Sequence, residues 1–511
     1  MTSDGQSFDI VVVGGGINGA GIARDAAGRG LRVLLVEQGD FAGATSSAST
    51  KLIHGGLRYL EHREWRLVAE SLAEREVLLR LASHIAWPMR FVMPHLPHLR
   101  PAWMIRTGLW LYDRLGGRSS LPKSQAVRLR GTPWGEGLAA DLERGYVYSD
   151  AWVDDARLVV LNLRSATAHG AQVLRDTRLV SAQARQGTWT VHLAPTDSDS
   201  QAEQWTVQAR AVVNATGAWV GAVRSACVGR PMPQARLVRG SHIVVPRVHA
   251  GAHACLFQNA DGRVLFAIPY EGRYTLVGTT DRPVDSVAEA HTVGDDEVDY
   301  LLAAVNRFLA RPLSRADVVW SYSGVRALVD DGADKPSAVT RDYRLELDLQ
   351  DGAPLLSVYG GKLTTYRRLA EAALQRLAGP MGLSAGPWTA TEPLPGAPGA
   401  PGAPGTPPAP GDRESALQTL LHRHPALPQP LLEGLFARHG TLVDELLAGA
   451  QDEAGLGHHH GGGLWDCEVR WCRAHEWARQ PDDVLWRRTK AGLHMSAAER
   501  EAFARAWEAM A

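Results

Sequence analysis

The sequence is poor in cysteine and in long apolar runs, and each shortage excludes a class of protein. Four cysteines in 511 residues form neither a disulfide framework nor a Cys-x-x-Cys pair, so free thiols in a reducing compartment are expected. The absence of an uninterrupted apolar run of about 18 residues argues against a bilayer-spanning helix. The first residues also lack a basic-then-apolar signal. We therefore expect a cytoplasmic protein or one on the cytoplasmic face of a membrane.

Lysine is scarce as well, and arginine carries almost all of the positive charge. Only five of the 54 basic residues are lysines. A lysine inside a glycine-rich motif is therefore notable, because an ammonium and a guanidinium are not interchangeable at a shaped site. The net charge of −1 gives no global reason to expect nucleic acid, and we predict no such partner.

An apolar run followed by glycines opens the chain. Gly14, Gly16 and Gly19 have the Gly-x-Gly-x-x-Gly spacing, the residues after them predict a helix, and Glu37 closes the next apolar run. In this context Gly14 permits a tight turn and Gly16 lets the backbone approach a pyrophosphate at the helix N-terminus. Glu37 can accept hydrogen bonds from a ribose. The motif predicts a dinucleotide site; the plainer alternative is a βαβ turn that needs glycines for its dihedral angles.

Three later stretches have the composition of cofactor loops. The loop 45–61 combines small residues with paired glycines, which let backbone N–H groups reach a planar ring or an anion; an ordinary turn-rich connection is the alternative. An apolar strand ends in Ala-Thr-Gly at 215–217, as is common in flavoproteins of the glutathione-reductase-like fold. The junction 360–365 lies between a predicted strand and a predicted helix, so its free N–H groups would face an electron-rich atom.

Residues 100–115 are the one stretch with a membrane character. Apolar residues fall on one helical face, two tryptophans flank that face, and three arginines add positive charge. This pattern is typical of an interfacial helix. A helix packed on its own domain with its arginines in solvent is the alternative. The residues concerned are Met104, Ile105, Gly108, Leu109, Leu111, Tyr112 and Leu115, with Trp103, Trp110, Arg100, Arg106 and Arg114.

The last part of the chain reads as a linker and a helical domain. A Gly-Ala-Pro near-repeat at 396–411 cannot bury a core and predicts an extended, mobile linker. A run of three histidines, 458–460, abuts three glycines. Consecutive histidines in a loop do not supply ligands around a tetrahedron, so we predict a solvated loop and no metal site.

Seven motifs together are similar to those of one family. They are GGGINGAG at 14–21, TSSASTKLIHGGLRYLE at 45–61, GSHIVVP at 240–246, YSGVR at 322–326, TRDY at 340–343, GGKLTTYR at 360–367 and DVLWRRTK at 483–490. With them the sequence closely resembles the aerobic, FAD-dependent sn-glycerol-3-phosphate dehydrogenases of bacteria. The resemblance covers nearly the whole chain, apart from the Gly-Ala-Pro linker and the histidine run.

The resemblance implies the fold, which we describe as α/β plus α+β. A glutathione-reductase-like FAD-binding domain would comprise 1–80, 145–235 and 322–390. A substrate-capping domain like that of D-amino-acid oxidases would comprise 81–144 and 236–321. The linker would span 391–411 and a C-terminal helical domain 412–511. Several domains suit a chain that is too long for one core.

The resemblance also implies the reaction and the partners. Glycerol 3-phosphate would be oxidised to dihydroxyacetone phosphate by hydride transfer to FAD, with re-oxidation by a membrane quinone, either ubiquinone or menaquinone. The expected assembly is a homodimer attached peripherally to the inner face of the cell membrane through an anionic lipid surface.

Oxidising a secondary alcohol requires a base and an anion clamp beside the flavin. By motif position, His242 is the implied base, while Arg326 and Arg341 bind the phosphate and steady the developing alkoxide. Arg58 and Tyr59 are expected to complete the phosphate pocket. A core histidine in an apolar strand and surface arginines are the alternatives for these residues.

Lys362 is expected near the pyrimidine end of the flavin, where its charge would stabilise the anionic reduced ring, and it is counted with the substrate-binding residues too. The implied cofactor contacts are Gly14, Gly16, Ile17, Asn18, Gly19, Glu37, Ser46, Ser47, Lys51, His54, Gly55, Gly56, Leu57, Thr216, Gly217, Gly361, Lys362, Leu363 and Thr364.

Two other functions remain open at this point. An oxidase that passes electrons to oxygen would use the same first half-reaction, so only the membrane character of 100–115 favours a quinone. A flavin- or NAD-binding regulatory module without turnover would make His242 and the arginines incidental. A plain NAD dehydrogenase fits less well, because the loop 46–56 and the junction 360–362 have no obvious role in one.

Overall fold

The computed structural model describes residues 5–61, 63–96, 98–197, 203–229, 235–259, 261–287, 292–328, 342–399 and 412–510. Within these ranges the chain forms two sheets and a helical C-terminal part. This arrangement confirms the predicted fold class.

The first sheet has eight strands. The glycine-rich motif directly follows a strand in the middle of this sheet. The order is β17-β18-β10-β1-β2-β7, with the hairpin β8–β9 joined to β10. β1 pairs in parallel with both β10 and β2. The strands are β1 (Gln6–Val13), β2 (Val33–Val36), β7 (Gln172–Leu174), β8 (Thr177–Arg185), β9 (Thr188–Pro195), β10 (Trp205–Asn214), β17 (Arg344–Gln350) and β18 (Ala353–Tyr359).

Both faces of the first sheet are covered, which explains why β1 is continuously apolar. Ile10 and Val12 pack against three helices on one face, whereas Val11 and Val13 pack against β8, β9 and a fourth helix on the other. The three helices are α1 (Ile17–Gly28), α4 (Asp155–Ala168) and α7 (Tyr366–Met381), and the fourth is α5 (Val220–Val228).

The second sheet has ten strands and is mostly antiparallel. Its order is β15-β11-β14-β13-β12-β4-β6-β3, with β16 on β11 and β5 on β6. The strands are β3 (Leu52–Ile53), β4 (Ala86–Pro94), β5 (Gln125–Arg128), β6 (Arg144–Val153), β11 (Arg236–Pro246), β12 (Ala254–Gln258), β13 (Val264–Tyr270), β14 (Tyr274–Gly278), β15 (Arg282–Pro283) and β16 (Trp320–Leu328). One face packs on α2 (Trp65–Leu81) and α3 (Ala102–Leu115), the other on α6 (Asp295–Asn306).

Two strands of the second sheet fall within the ranges that we predict for the FAD-binding domain. Residues 145–153 and 322–328 form β6 and β16, which pair with β4 and β11 of the second sheet. Apolar strand composition reports burial and not the identity of the neighbouring strand, so this boundary is not readable from composition.

The first part of the predicted linker is packed. Leu394 and Ala397 are fully buried, and the Leu394 N–H donates to the Leu81 carbonyl at 2.8 Å. The Gly396 carbonyl accepts from the Thr441 N–H at 2.9 Å, so this segment also contacts the C-terminal domain. The prediction of an extended, mobile linker from 396 onward is therefore wrong for 396–399, because one buried leucine just before it anchors the segment. Residues 400–411 lie outside the described residues.

The C-terminal part is helical, as predicted, and packs on both sheets. Its helices are α8 (Arg413–Arg423), α9 (Gln429–His439), α10 (Val443–Leu447), α11 (Asp466–His475) and α12 (Ala497–Ala509), with a π-helical turn at Asp483–Arg488. Trp486 stacks on Trp320 of β16, with ring centroids 4.9 Å apart. Arg157 of α4 donates to Glu476 at 2.9 Å, and both side chains are fully buried.

Candidate active site

A cavity of ≈ 970 Å³ lies between the two sheets. The carboxyl ends of β1, β2 and β10 form one wall, and residues of β11, β13 and β16 form the other. In open α/β sheets ligands bind at this edge, where backbone groups are left unpaired and helices begin.

The glycine-rich turn lines the cavity as predicted for Gly14, Gly16, Ile17 and Asn18. The Ile17 N–H donates to Ser46 Oγ at 3.0 Å, and the Asn18 amide donates to the Gly360 carbonyl at 3.1 Å. Gly19 is not among the described lining residues. A Cβ on Gly19 would lie 1.9 Å from the Gly14 carbonyl oxygen, so this glycine serves the close packing of the turn.

Glu37 lines the cavity at the end of β2. Its carboxylate accepts from the Gly15 N–H at 2.7 Å and from the Gly39 N–H at 2.8 Å. Burial raises the pKa of this carboxyl. Two backbone donors thus fix the acidic side chain at the position where a dinucleotide ribose binds in this kind of fold.

The loop 45–61 separates into residues that line the cavity and residues that hold the loop. Ser46, His54, Gly56, Leu57, Arg58 and Tyr59 line it. Three other residues of the loop that we predict to contact the cofactor do not line the cavity in the described structure. Ser47 Oγ donates to the Ala44 carbonyl, the Gly55 N–H donates to Tyr112 Oη at 2.8 Å, and Lys51 Nζ pairs with Asp155 at 2.7 Å. The roles of these three residues as direct cofactor contacts stay predictions.

Two more predicted segments reach the same cavity from far along the chain. Thr216 and Gly217 follow β10, and Gly361–Thr364 follow β18. The Lys362 ammonium lies 3.8 Å from the centroid of the Tyr59 ring. The His54 N–H donates to Thr364 Oγ1 at 3.3 Å. These contacts bring the two glycine-rich loops together at one end of the cavity.

His242 lies in β11 and faces the cavity. Its Nε2 is 2.9 Å from Thr50 Oγ1, and its ring stacks on Tyr322 with centroids 4.9 Å apart. Burial, with the charges of Lys51 and Arg326, lowers the pKa of His242 to about 3. The imidazole is therefore neutral at physiological pH and able to accept a proton.

Arg326 reaches the same part of the cavity from β16. Its guanidinium donates to Asp281 Oδ1 at 2.5 Å and to the Thr280 carbonyl at 3.3 Å. A Cβ on Gly240 would lie 2.5 Å from Arg326 Nη2, so the guanidinium passes over a glycine two residues from His242. Arg341 lies outside the described residues, and its role stays a prediction.

Some residues of the site have no counterpart in the sequence-based prediction. Thr50 contacts His242 and Asp281 contacts Arg326. Thr50 lies within the motif at 45–61 and Asp281 lies just before β15, which is the signal that was available. Gln480, Asp483 and Arg487 of the C-terminal part line the cavity too. Asp483 and Arg487 belong to the motif at 483–490 and Gln480 precedes it, but nothing in the sequence places that motif at the cavity.

The histidine run 458–460, which lies outside the cavity, is only partly solvated. His460 is buried and bonds Asp466 at 2.8 Å, so the prediction of a solvated loop is wrong at that residue.

A second group, His249, His253 and Cys255, places its donor atoms within 4.8 Å of one another. The two imidazoles stack at 4.3 Å with an interplanar angle of 11°, so one ion cannot lie in both ring planes without ring rotation.

A glycine-rich turn at the carboxyl edge of a parallel sheet, an acid at the end of the next strand and a second antiparallel sheet over the cavity define an FAD-dependent oxidoreductase. Residues 9–367 match the family model of FAD dependent oxidoreductases, and residues 388–511 match the C-terminal domain of alpha-glycerophosphate oxidase.

Named relatives narrow this class. Glycerol-3-phosphate dehydrogenase of Pseudomonas aeruginosa is 50% identical over 97% of this chain and 94% of the relative. D-erythritol 1-phosphate dehydrogenase of Brucella abortus is 48% identical over 98% and 97%. The structure of glycerol-3-phosphate dehydrogenase from Bacillus halodurans complexed with FAD has a TM-score of 0.73 at 26% identity and covers 98% and 94%. The chain belongs to the FAD-dependent glycerol-3-phosphate dehydrogenase family.

The pKa of His242 generates a prediction about stability. Between pH 3 and 6.5 the His242 imidazole is protonated in the unfolded chain and neutral in the folded chain. Acidification through this window therefore lowers the free energy of unfolding. We expect His242→Asn to flatten the dependence of Tm on pH there. His422→Asn, at an exposed position, is the control and should keep the wild-type slope. A wild-type slope in His242→Asn would contradict the lowered pKa.

Proposed function

We propose that the enzyme oxidises sn-glycerol 3-phosphate to dihydroxyacetone phosphate. The observation that carries the proposal is that one cavity is lined by His242 and by the cations Arg58, Arg326 and Lys362. A phosphorylated polyol needs both a base for its hydroxyl and positive charge for its phosphate.

FAD, when bound, accepts the hydride from the substrate carbon. The chain's own residues position the substrate and take the proton. His242 Nδ1 is buried and out of reach of a molecule in the cavity. In the tautomer that carries its proton on Nδ1, Nε2 has the lone pair and accepts from Thr50 Oγ1. The hydroxyl proton passes to Nε2 as the carbonyl forms.

The phosphate has two tasks in this proposal. It binds through Arg326, whose planar fork suits phosphate oxygens, and through Arg58. Its negative charge also offsets Arg326 and Lys51, the cations that help to depress the pKa of His242. His242 therefore becomes a stronger base when substrate is bound.

Anaerobic mixing of the holoenzyme with glycerol 3-phosphate tests the proposal. We expect the flavin absorbance to bleach, and we expect His242→Ala to slow the bleaching by about 10²–10⁴-fold with FAD retained, the usual range for loss of a general base. His249→Ala changes a histidine that is also buried, in the connection between β11 and β12, but does not line the cavity, and it is the control.

Comparison of substrates completes this experiment. Bleaching of the wild-type enzyme by neither substrate would exclude turnover and favour a regulatory module. Faster bleaching by D-erythritol 1-phosphate, the substrate in the name of the Brucella abortus relative, would transfer the proposal to a four-carbon phosphate. Near-normal bleaching by His242→Ala would remove His242 from the role of base.

For the electron acceptor we propose a membrane quinone, in line with the dehydrogenase names of the relatives. With glycerol 3-phosphate in air, we expect turnover with a soluble ubiquinone analogue to exceed peroxide production by about tenfold or more, which corresponds to a barrier difference of about 1.4 kcal/mol. A peroxide yield equal to substrate consumption, with no gain from quinone, would instead establish an oxidase.

We also propose that the outer face of α3 contacts an anionic lipid surface. In the described structure Trp103, Met104 and Trp110 are among six exposed large apolar side chains, and this concentration on one helix is unusual for a water-facing surface. The Arg114 guanidinium lies 4.3 Å from the Trp110 ring centroid. Ile105 and its neighbours on the opposite face pack on the second sheet, so only part of the predicted apolar face is available.

The described residues contain no helix that is long and apolar enough to span a bilayer. The proposed attachment is therefore by partial insertion of α3, together with charge attraction. The homodimer stays a prediction.

Co-sedimentation with vesicles tests the lipid contact. We expect binding to vesicles that contain phosphatidylglycerol, reduced about tenfold or more in the double variant Trp103→Ala/Trp110→Ala, with flavin reduction by substrate unchanged. Val319→Ala/Leu349→Ala removes exposed apolar side chains elsewhere and is the control. Equal binding by the two variants would contradict the proposal.

A further inference from the structure

The C-terminal domain (412–510) contributes to the wall of the cofactor cavity. The cavity is lined at one end by Gln480, Asp483 and Arg487 of this domain. Glu37 and Arg175 line it too and belong to the first-sheet domain, by which we mean the first sheet with the helices and loops that pack on it. These C-terminal residues lie in and just before the π-helical turn Asp483–Arg488. They are at the end of the cavity where Glu37 is placed to bind the adenosine ribose.

A buried carboxylate joins this turn to the loop behind Glu37. Asp40 Oδ1 and Oδ2 accept from the two terminal nitrogens of Arg488 at 2.7 and 2.6 Å, and Asp40 also accepts from Arg487 Nε. Arg175 donates to the same carboxylate at 3.1 Å. Arg488 is fully buried, so the pairing excludes water and fixes the loop that carries Glu37.

A second carboxylate fixes the turn itself. Asp483 accepts from Arg175 at 2.7 Å and from the N–H groups of Arg479 and Gln480 at 2.8 and 2.9 Å. Arg487 donates to its other oxygen. Arg175 therefore lies between two carboxylates, one from each domain, and holds Gln480 and Arg487 at the cavity wall.

An aromatic contact extends this connection to the glycine-rich turn. The Trp477 ring lies edge-on to Phe41 with centroids 5.4 Å apart. Phe41 in turn lies against Gly15, where an added Cβ would come 2.5 Å from the ring. Gly15 is also the residue whose N–H binds Glu37. The C-terminal domain thus supports both elements that receive the adenosine diphosphate half of a dinucleotide.

We propose that the C-terminal domain is a structural part of the FAD site, in which Arg487 and Gln480 close the adenosine end of the cavity. The guanidinium of Arg487 is paired with Asp40 and Asp483, so it acts as an oriented donor and cover and not as an uncompensated charge. The domain therefore determines affinity for the adenosine half and leaves the flavin half to the first and second sheets.

The domain does not depend on Arg487 for its position. Two other ion pairs also join the C-terminal domain to the region of α4: Arg157 with Glu476 at 2.9 Å, and Lys490 with Asp154 at 3.3 Å. None of these four residues lines the cavity in the described structure. Removal of the Arg487 side chain should therefore leave the domain attached. This separation makes an effect on cofactor affinity distinguishable from detachment of the domain.

The test uses the full chain after removal of FAD, with three probes. For Arg487→Ala we expect the Kd of FAD and of ADP to rise by about tenfold or more, as for loss of a charge-assisted contact, while the Kd of FMN, which lacks the adenosine half, changes by less than about twofold. Flavin fluorescence reports FAD and FMN, and competition with FAD reports ADP. Arg479→Ala, in the same segment but 61% exposed and paired with Asp176, is the matched control and should leave all three affinities within about twofold.

Three results would overturn the proposal. They are an unchanged FAD affinity in Arg487→Ala, an equal loss of FAD and FMN affinity, and a loss in Arg479→Ala as large as that in Arg487→Ala. If Arg487→Ala does not give folded protein, as judged by its Tm and circular dichroism, Gln480→Ala is measured with the same probes and the same criteria. Its side chain lines the cavity without belonging to the ion cluster.

Discussion

Buried charge has to be paired, and this constraint joins the separate parts of the chain around the cavity. Lys51 pairs with Asp155 between the loop 45–61 and α4, Asp40 pairs with Arg488 between the first-sheet domain and the C-terminal domain, and Arg367 pairs with Glu74 between α7 and α2. Removal of one partner would leave a buried charge, which costs roughly 3–5 kcal/mol. Desolvation makes such pairs poor sources of net stability. Their effect is geometric, because only one relative placement of the elements pairs every charge.

Electrostatics within the cavity also suits a dianionic substrate. His242 is neutral because it is buried near cations, and those cations are what a phosphate requires. In the proposed mechanism His242 stays unprotonated until a bound phosphate offsets these cations. Phosphate binding and the basicity of His242 would then depend on the same charges. Substrates without a phosphate would lose both.

The sequence predicted those parts of the fold and of the site whose residues lie close together in the chain. The turn Gly14–Gly19 and Glu37 belong to one βαβ unit, so spacing alone indicated their roles. The junction 360–365 was indicated by its strand–glycine–helix pattern, whereas His242 and Arg326 were placed only through resemblance; the structure brings all three to one cavity. Motif membership does not give the direction of a side chain: Lys51 and Ser47 lie in a cofactor loop yet point away from the cavity in the described structure. The pairing of β6 with β4 and of β16 with β11 joins segments that are far apart in the sequence, so composition does not report it. Gln480 and Arg487 reach the cavity through a domain contact that no local pattern encodes.

One helix connects the outer surface with the cofactor loop. On its outer face α3 exposes Trp103 and Trp110; on its inner face Tyr112 is fully buried and accepts the Gly55 N–H at 2.8 Å while donating to Asp150. Gly55 adjoins Gly56, which lines the cavity. An α-helix with its side chains is about 10–12 Å in diameter, so a surface on which α3 docks lies about one helix diameter from the loop beside the cofactor. The buried contact between the Tyr112 phenol and the Asp150 carboxylate fixes the inner face of α3, and the Gly55 N–H ties the loop to the same phenol. The outer surface of α3 and the loop that lines the cavity are therefore held in one fixed relation.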